Sequence, residues 1–315
     1  MVGANAPAGR SALDAVNLAA LMEQSAGQPK VVVGLIDGSV AVTHRDLATE
    51  SIRILPQASD RAPEHASAAA LRHGTFVAGI LAAKRGSAAP AICPGCTLVV
   101  RPIFLQPSTA NASTPSASPQ DLAEAIIDCV EAGVRILNLS LSLATVSPNR
   151  EPQLVQALDH AAAHGTLVVA AAGNQGTIGG SPITRHPWVI PVVACDVAGR
   201  PLAVSNLGSS IARRGLMAPG EAVTSLGVNG QSLTGGGTSA ATPFVTGTLA
   251  LLLSMFPEAN AAQAKSATTR ADVRRAAIVP PMLDAWSAYQ MMLKQLGSRS
   301  HGAEENLGRQ SRAVG

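Results

Sequence analysis

The chain is 315 residues long, 47% hydrophobic and 2% aromatic, with a formal net charge of +3. So small a charge excess, with no basic cluster set among aromatic rings, gives no indication of a nucleic-acid-binding surface. No stretch comes near the roughly 18 uninterrupted apolar residues of a membrane span, and the length allows one large α/β domain.

Residues 1–10 are expected to form a flexible N-terminus, 11–296 a single folded domain, and 297–315, polar and without an apolar period, a disordered tail. Ser11-Ala12-Leu13-Asp14 reads as a capping box opening an amphipathic helix. Asp14, Asn17 and Glu23 break any apolar run of signal-peptide type, so a cytoplasmic location is expected. Val31–Ile36 is an unbroken apolar run, as in a buried parallel strand, and it ends on Asp37. Ligands sit beyond the carboxyl ends of such strands, although Asp37-Gly38 alone is ordinary turn chemistry. Arg72-His73-Gly74-Thr75-Phe76-Val77-Ala78-Gly79-Ile80 places a histidine at the opening of a helix, His73–Ala83. A lone histidine there is more often a cap or core residue than a catalyst.

Cys93-Pro94-Gly95-Cys96 is compatible with a redox pair, half a metal site or a small disulfide-closed turn. One such pair without a second pair or a histidine partner is weak evidence for zinc. Reduced structural thiols are expected in a cytoplasmic protein. Cys129 and Cys195 lie in apolar patterns and read as packing residues. Strands Thr97–Phe104, Val134–Leu139, Thr166–Ala171 and Val189–Ala194 then alternate with helices Asp121–Ala132 and Gln153–Ala163, before a last core helix, Ser239–Met255. That alternation predicts a parallel sheet with helices on both faces. Asp37, Ser140 and Asn174 all follow strand ends, and right-handed crossovers bring them toward one crevice. Gln106–Pro119, rich in Ser, Thr, Ala and Pro, reads as a solvated loop. Asn260–Arg270 and Leu283–Leu296 read as surface helices closing the domain.

The most telling segment is Gly235-Gly236-Gly237-Thr238-Ser239-Ala240-Ala241-Thr242-Pro243. It sets a single serine at a helix N-terminus, where free N–H groups and the dipole favour negative charge. Acyl transfer by serine needs such a place for its oxyanion; taken alone, a glycine loop with a serine N-cap explains the pattern as well. Along the chain the three segments run Asp37, His73, Ser239, the order of subtilisin and not that of chymotrypsin or the α/β-hydrolases.

On these motifs, from about Val31 to about Phe256, the chain resembles the subtilisin-like serine proteases. His73-Gly74-Thr75-x-Val77-Ala78-Gly79 and Gly237-Thr238-Ser239-x-Ala241-x-Pro243 carry the match. Ala170-Ala171-Ala172-Gly173-Asn174 stands where subtilases keep their oxyanion asparagine. Asn138-Leu139-Ser140-Leu141-Ser142 looks like the strand that pairs with substrate backbone. Subtilases usually follow the aspartate with Ser or Thr and then Gly; here the order is Asp37-Gly38-Ser39-Val40. Phe76, Phe244 and Ala240 are further departures, at positions where histidines and a methionine are common. The Asp-Gly-x-Val pattern, Arg101-Pro102-Ile103-Phe104 and Thr242-Pro243 look like the proteases that trim cyanobactin precursor peptides.

The resemblance implies a subtilisin-like three-layer α/β fold, mainly a parallel sheet with helices on both faces, and a serine endopeptidase. It assigns catalysis to Asp37, His73 and Ser239 and the oxyanion hole to Asn174. Ser140, Leu141, Ser142, Ala171 and Gly173 are expected to bind substrate, with Ser142 narrowing a pocket where the family often has glycine. Gln106–Pro119 corresponds to a region that flanks the substrate groove in subtilases, a reading of equal weight with that of a solvated loop. The expected partner is a peptide or protein substrate, in the narrower reading a ribosomally made precursor peptide cut at a leader–core junction. No cofactor and no metal are expected. Secreted subtilases commonly carry a calcium loop after the histidine's helix, but Ala82-Ala83-Lys84-Arg85-Gly86-Ser87-Ala88-Ala89 offers no carboxylate and two cations. About 30 residues precede the strand ending at Asp37, too few for a folded pro-domain, which favours restricted specificity. The alternatives are a general intracellular degradative subtilase and a peptide-binding pseudoprotease whose site the Asp37-Gly38-Ser39 departure disorders. A lipase or esterase is disfavoured, since no Gly-x-Ser-x-Gly elbow surrounds Ser239.

Overall fold

Seven parallel strands make the centre of the molecule, in a computed structural model that describes residues 11–47, 51–56, 68–104, 117–141, 151–269 and 277–296. In chain order the elements are α1 (Ala12–Ala15), α2 (Leu18–Gln24), β1 (Val32–Asp37), β2 (Ile52–Ile54), α3 (Ala68–Ala82), β3 (Thr97–Pro102), α4 (Pro119–Glu131) and β4 (Ile136–Leu139). They continue with α5 (Pro152–Ala163), β5 (Leu167–Ala171), α6 (Pro182–Arg185), β6 (Val189–Cys195), α7 (Ser209–Arg214) and β7 (Leu216–Pro219). A hairpin of β8 (Val223–Leu226) and β9 (Ser232–Gly235) precedes α8 (Thr238–Met255) and α9 (Ala261–Thr269). The expected N-terminus 1–10 and tail 297–315 lie outside the described residues, as do Ser142 and residues 106–116 of the expected loop.

The sheet order is β2-β3-β1-β4-β5-β6-β7. The chain leaves β1 toward one side of the sheet to make β3, and then returns to the other side of β1 to make β4. That reversal is a topological switch point, and Asp37 is the last residue of the strand beside it. Because side chains alternate across a strand, the strands feed two cores. Val33, Leu35, Leu98, Val100, Ile136 and Val169 face α3 and α8. Ile36, Val99, Leu137, Leu139 and Val168 face α4 and α5. Asp37 falls on the α3 side by the same alternation.

α4 starts two residues and α5 one residue before the expected Asp121 and Gln153, for a local reason. Ser118 accepts from the Asp121 N–H and the Asp121 side chain returns to the Ser118 N–H, with Pro119 in the first turn; Pro152 opens α5 in the same way. Two expectations need correction. The N-terminal amphipathic helix is broken: α1 is one turn capped by Ser11, and Asn17 in a left-handed conformation (φ 53) separates it from α2. α3 begins by Ala68, so His73 lies more than a turn inside the helix and not at its opening. α8 is long and apolar enough to cross a membrane by length and composition, but it is 89% buried within the protein, so the molecule's own core accounts for that composition.

Candidate active site

Asp37 ends β1 fully buried, and its Oδ1 lies 2.7 Å from Nδ1 of His73 on α3. The Gly38 N–H donates to the same oxygen at 2.6 Å. Asp37 Oδ2 has no hydrogen-bond partner among the described residues, so the imidazole and one backbone N–H carry most of the compensation for this carboxylate. The Asp37 charge holds the His73 pKa above its ordinary 6.5, while burial pulls the other way. His73 remains 37% exposed at its side chain.

Two glycines set the separation of this pair. A Cβ on Gly38 would lie 2.0 Å from the Ala70 carbonyl oxygen, and one on Gly74 would lie 2.5 Å from the carbonyls of Gly38 and Ser39. The exit of β1 therefore rests directly on the α3 backbone. The Asp37-Gly38-Ser39 order, a departure from the family pattern, is the one this contact requires. It leaves Asp37 hydrogen-bonded to His73.

Ser239 is the second residue of α8, half-buried, after Gly237 as N-cap. Gly237 has φ 88, and a Cβ there would lie 2.9 Å from Asn174 Oδ1. Asn174 Oδ1 accepts from the Thr238 N–H at 2.9 Å and the Thr238 hydroxyl at 3.0 Å. Two donors on that atom fix which end of the amide is oxygen. The Asn174 Nδ2 group is left as the donor beside the helix N-terminus, and the Ser239 N–H is one of the first-turn donors that a helix cannot satisfy itself. Asn206 holds the asparagine's loop: its Oδ1 accepts from the Gln175 and Thr177 N–H groups at 3.1 Å each. The hydrogen bonds among described residues include none between Ser239 and His73; contacts of that kind often tighten only around substrate.

A second support is one that the motifs do not reveal. Pro243 sits inside α8 and cannot donate to the Ser239 carbonyl four residues back. The Ser140 hydroxyl supplies that bond at 3.0 Å. Ser140 Oγ accepts from Asn138 Nδ2 at 2.7 Å, and Asn138 Oδ1 accepts from the Thr246 hydroxyl at 2.8 Å. Asn138, Ser140 and Thr246 are all buried. The only signal for this chain of bonds in the sequence is a run of threonines in an otherwise apolar helix. Ser140 and Leu141 are both buried at the side chain, so what they offer a peptide is main chain. Ala171 ends β5, buried, and Gly173 takes φ 106 against the Asn206 side chain. Ser142 lies outside the described residues.

The segment after α3 holds its own cation. The Arg85 guanidinium donates to the carbonyls of Met22, Ser25 and Ile92, the last two at 2.7 and 3.2 Å. Lys84 Nζ reaches the Arg45 carbonyl at 2.7 Å. Cys93 and Cys96 are free, buried thiols, and burial pushes Cys129 and Cys195 up to about 12. Cys129 and Cys195 are therefore not poised nucleophiles, while the hydrogen bond between Cys93 and Cys96 raises the first thiol and lowers the second.

An aspartate on a strand end, a histidine on a helix against it, and a serine with an oriented amide at a helix N-terminus define a serine hydrolase of the Asp-His-Ser type. The chain matches the subtilase family, Peptidase_S8, over residues 28–298 and belongs to it. It is accordingly a serine endopeptidase by family. It is 31% identical to subtilisin DY of Bacillus licheniformis over 241 residues, covering 75% of this chain and 81% of that protein. It spans only 61% of several longer subtilisins. Among solved structures it is similar to the prenylagaramide maturation protease PagA, with 27% identity, a TM-score of 0.74, and coverage of 87% of this chain and 98% of that one. A serine-to-alanine mutant of the PatA protease domain matches at 28% identity and a TM-score of 0.76, over 85% of this chain and 97% of the other. The subtilisin-like three-layer fold expected from the motifs is the fold observed.

Proposed function

We propose that Asp37, His73 and Ser239 cleave a peptide bond by two-step acyl transfer, and that the substrate is a precursor peptide cut at a defined junction. Ser239 Oγ attacks the scissile carbonyl while His73 Nε2 takes its proton. Asp37 fixes the tautomer through Nδ1 and stabilises the imidazolium. Asn174 Nδ2 and the Ser239 N–H receive the oxyanion, and His73 then protonates the leaving amine before water repeats the sequence on the acyl-enzyme. The end of β4 at Ser140–Ser142, with Ala171–Gly173 after β5, would hold an extended peptide by strand addition. No cofactor enters this chemistry, and a cytoplasmic site of action is part of the same reading.

One observation supports the catalytic part above the rest: the Thr238 N–H and hydroxyl orient Asn174 so that its NH₂ group remains for a developing negative charge. The likeness to PagA, a prenylagaramide maturation protease, and to PatA, a patellamide maturation protease, supports the substrate class. The test is digestion of casein beside a library of extended peptides. The proposal expects casein to stay largely uncut and a narrow set of library peptides to be cleaved at one bond each. Rapid cleavage of casein at many bonds would establish the degradative alternative, and failure to label Ser239 with a sulfonyl fluoride would establish the pseudoprotease.

A further inference from the structure

The ends of α4 and α5 bring three ligand-type side chains together, away from the catalytic residues. Glu131 is the last residue of α4, and His160 and His164 lie one helical turn apart at the end of α5. Both helices end where the chain turns into the start of a strand, so this cluster lies at the edge of the sheet opposite Asp37 and Ser140. One ligand atom from each residue lies within 4.8 Å of those of the other two. His160 Nε2 is 3.0 Å from Glu131 Oε1, and the two imidazole centroids are 4.1 Å apart with their planes tilted by 46°. His164 Nδ1 is 2.9 Å from the His160 carbonyl oxygen. A carbonyl can only accept, so His164 Nδ1 carries a proton, and in the neutral ring it is Nε2 that presents the lone pair. A backbone carbonyl behind a ring nitrogen is the support that metal-ligating histidines ordinarily have.

An exposed histidine–glutamate ion pair would use only two of these three groups and contribute little. It would not explain a second imidazole tilted against the first with its Nδ1 held on a backbone carbonyl. Two imidazoles and one carboxylate are the donor set of a borderline divalent ion, which takes nitrogen and oxygen at roughly 2.0–2.2 Å. Glu131 and His164 are exposed and His160 half-buried, so the side chains have room to close on an ion by rotation alone.

We propose that Glu131, His160 and His164 form a binding site for a divalent transition metal, zinc in the first instance, with water completing a tetrahedron. The ion ties the C-terminal turn of α4 to that of α5. It supports the fold and takes no part in peptide cleavage, because the cluster and the triad lie at opposite edges of the sheet. The site neither needs nor strengthens the proposed reaction.

The experiment is a calorimetric titration of zinc sulfate into the full chain after exhaustive chelation, at neutral pH. One zinc per chain is expected, with a Kd below about 100 μM. At a hundredfold excess of free zinc over Kd, the melting temperature should rise by roughly 3 °C or more. The double variant His160→Ala, His164→Ala should bind at least tenfold more weakly and lose that rise, and Glu131→Gln should weaken binding by a smaller factor; circular dichroism would establish that both variants are folded. Cobalt in place of zinc should give visible d–d bands without a near-ultraviolet thiolate charge-transfer band. No zinc uptake, uptake unchanged in the double variant, or a thiolate band pointing to Cys93 and Cys96 would each overturn the proposal.

Discussion

α3 and α8, on one face of the sheet, are buried on nearly every side, whereas α4 and α5, on the other, keep a polar stripe toward solvent. In α8 every residue from Ala240 to Ser254 is buried, and in α3 every residue from Gly74 to Ala82. In α4 the buried positions are Leu122, Ala123, Ala125, Ile126, Cys129 and Val130, and Gln120, Glu124 and Ile127 face out. The reactive side chains, His73 and Ser239, both sit on the enclosed helices. A helix packed all round cannot shift without moving its neighbours, so the groups on it hold their positions to a fraction of an ångström. The two-sided helices support the sheet and tolerate change on their outer side.

The sharpest way to break this contrast is to remove a reactive group. Ser239→Ala or His73→Ala should lower kcat by about 10⁶, the cost of such losses in subtilisin, a member of the same family. A residual activity of about a tenth in steady-state assays of either variant would take catalysis away from this face. Asp37→Asn should cost about 10⁴ and also move the pH profile. Because Asp37 raises the His73 pKa above 6.5 and only neutral imidazole accepts the serine proton, the native acid limb of kcat/KM lies above pH 6.5. Removing the charge should carry that limb to lower pH; a limb that does not move would show that another group sets it.

Asn174→Ala should reduce kcat by about 10²–10³ and leave KM nearly unchanged. If the loss fell mainly on KM, the asparagine would be binding substrate and not the transition state. Gly38→Ala forces a Cβ against the Ala70 carbonyl and should lower stability by about 1–3 kcal/mol, read from a denaturant midpoint; an unchanged midpoint would mean that the β1–α3 contact yields to an added methyl group. At the other extreme, Glu124→Ala on the open side of α4 should change stability by less than about 0.5 kcal/mol and leave kcat/KM alone. A large loss of activity there would erase the distinction between the two faces.

The same contrast decides how much could be read from the chain. α4 and α5 carry their burial pattern and their start signals locally, a capping box with Pro119 in α4 and Pro152 alone in α5, and their observed bounds fall within two residues of those expected. α3 has no polar side to mark where it begins, so the histidine motif drew the expected start too late. The edge strand β2 is three residues long and largely exposed, and β7 ends in Pro219; neither has the length or alternation that marks a strand. The identities of Asp37, His73, Asn174 and Ser239 were legible because their flanking motifs are local. Ser140 holding the Ser239 carbonyl, and Gly38 resting on Ala70, were not, because each partner lies tens of residues away. Glu131 and His160, 29 residues apart, likewise meet only in the fold.

The guanidinium that gathers the carbonyls of Met22, Ser25 and Ile92 is attached to the chain. A dissolved ion in such a place would couple the fold to its own free concentration, strengthening it when plentiful and leaving when scarce. Arg85 has no such equilibrium: its supply is set at synthesis, dilution cannot remove it and a chelator has nothing to take. The N-terminal helix pair is thereby fastened to the end of α3 with the same strength in a medium rich in divalent ions as in one stripped of them.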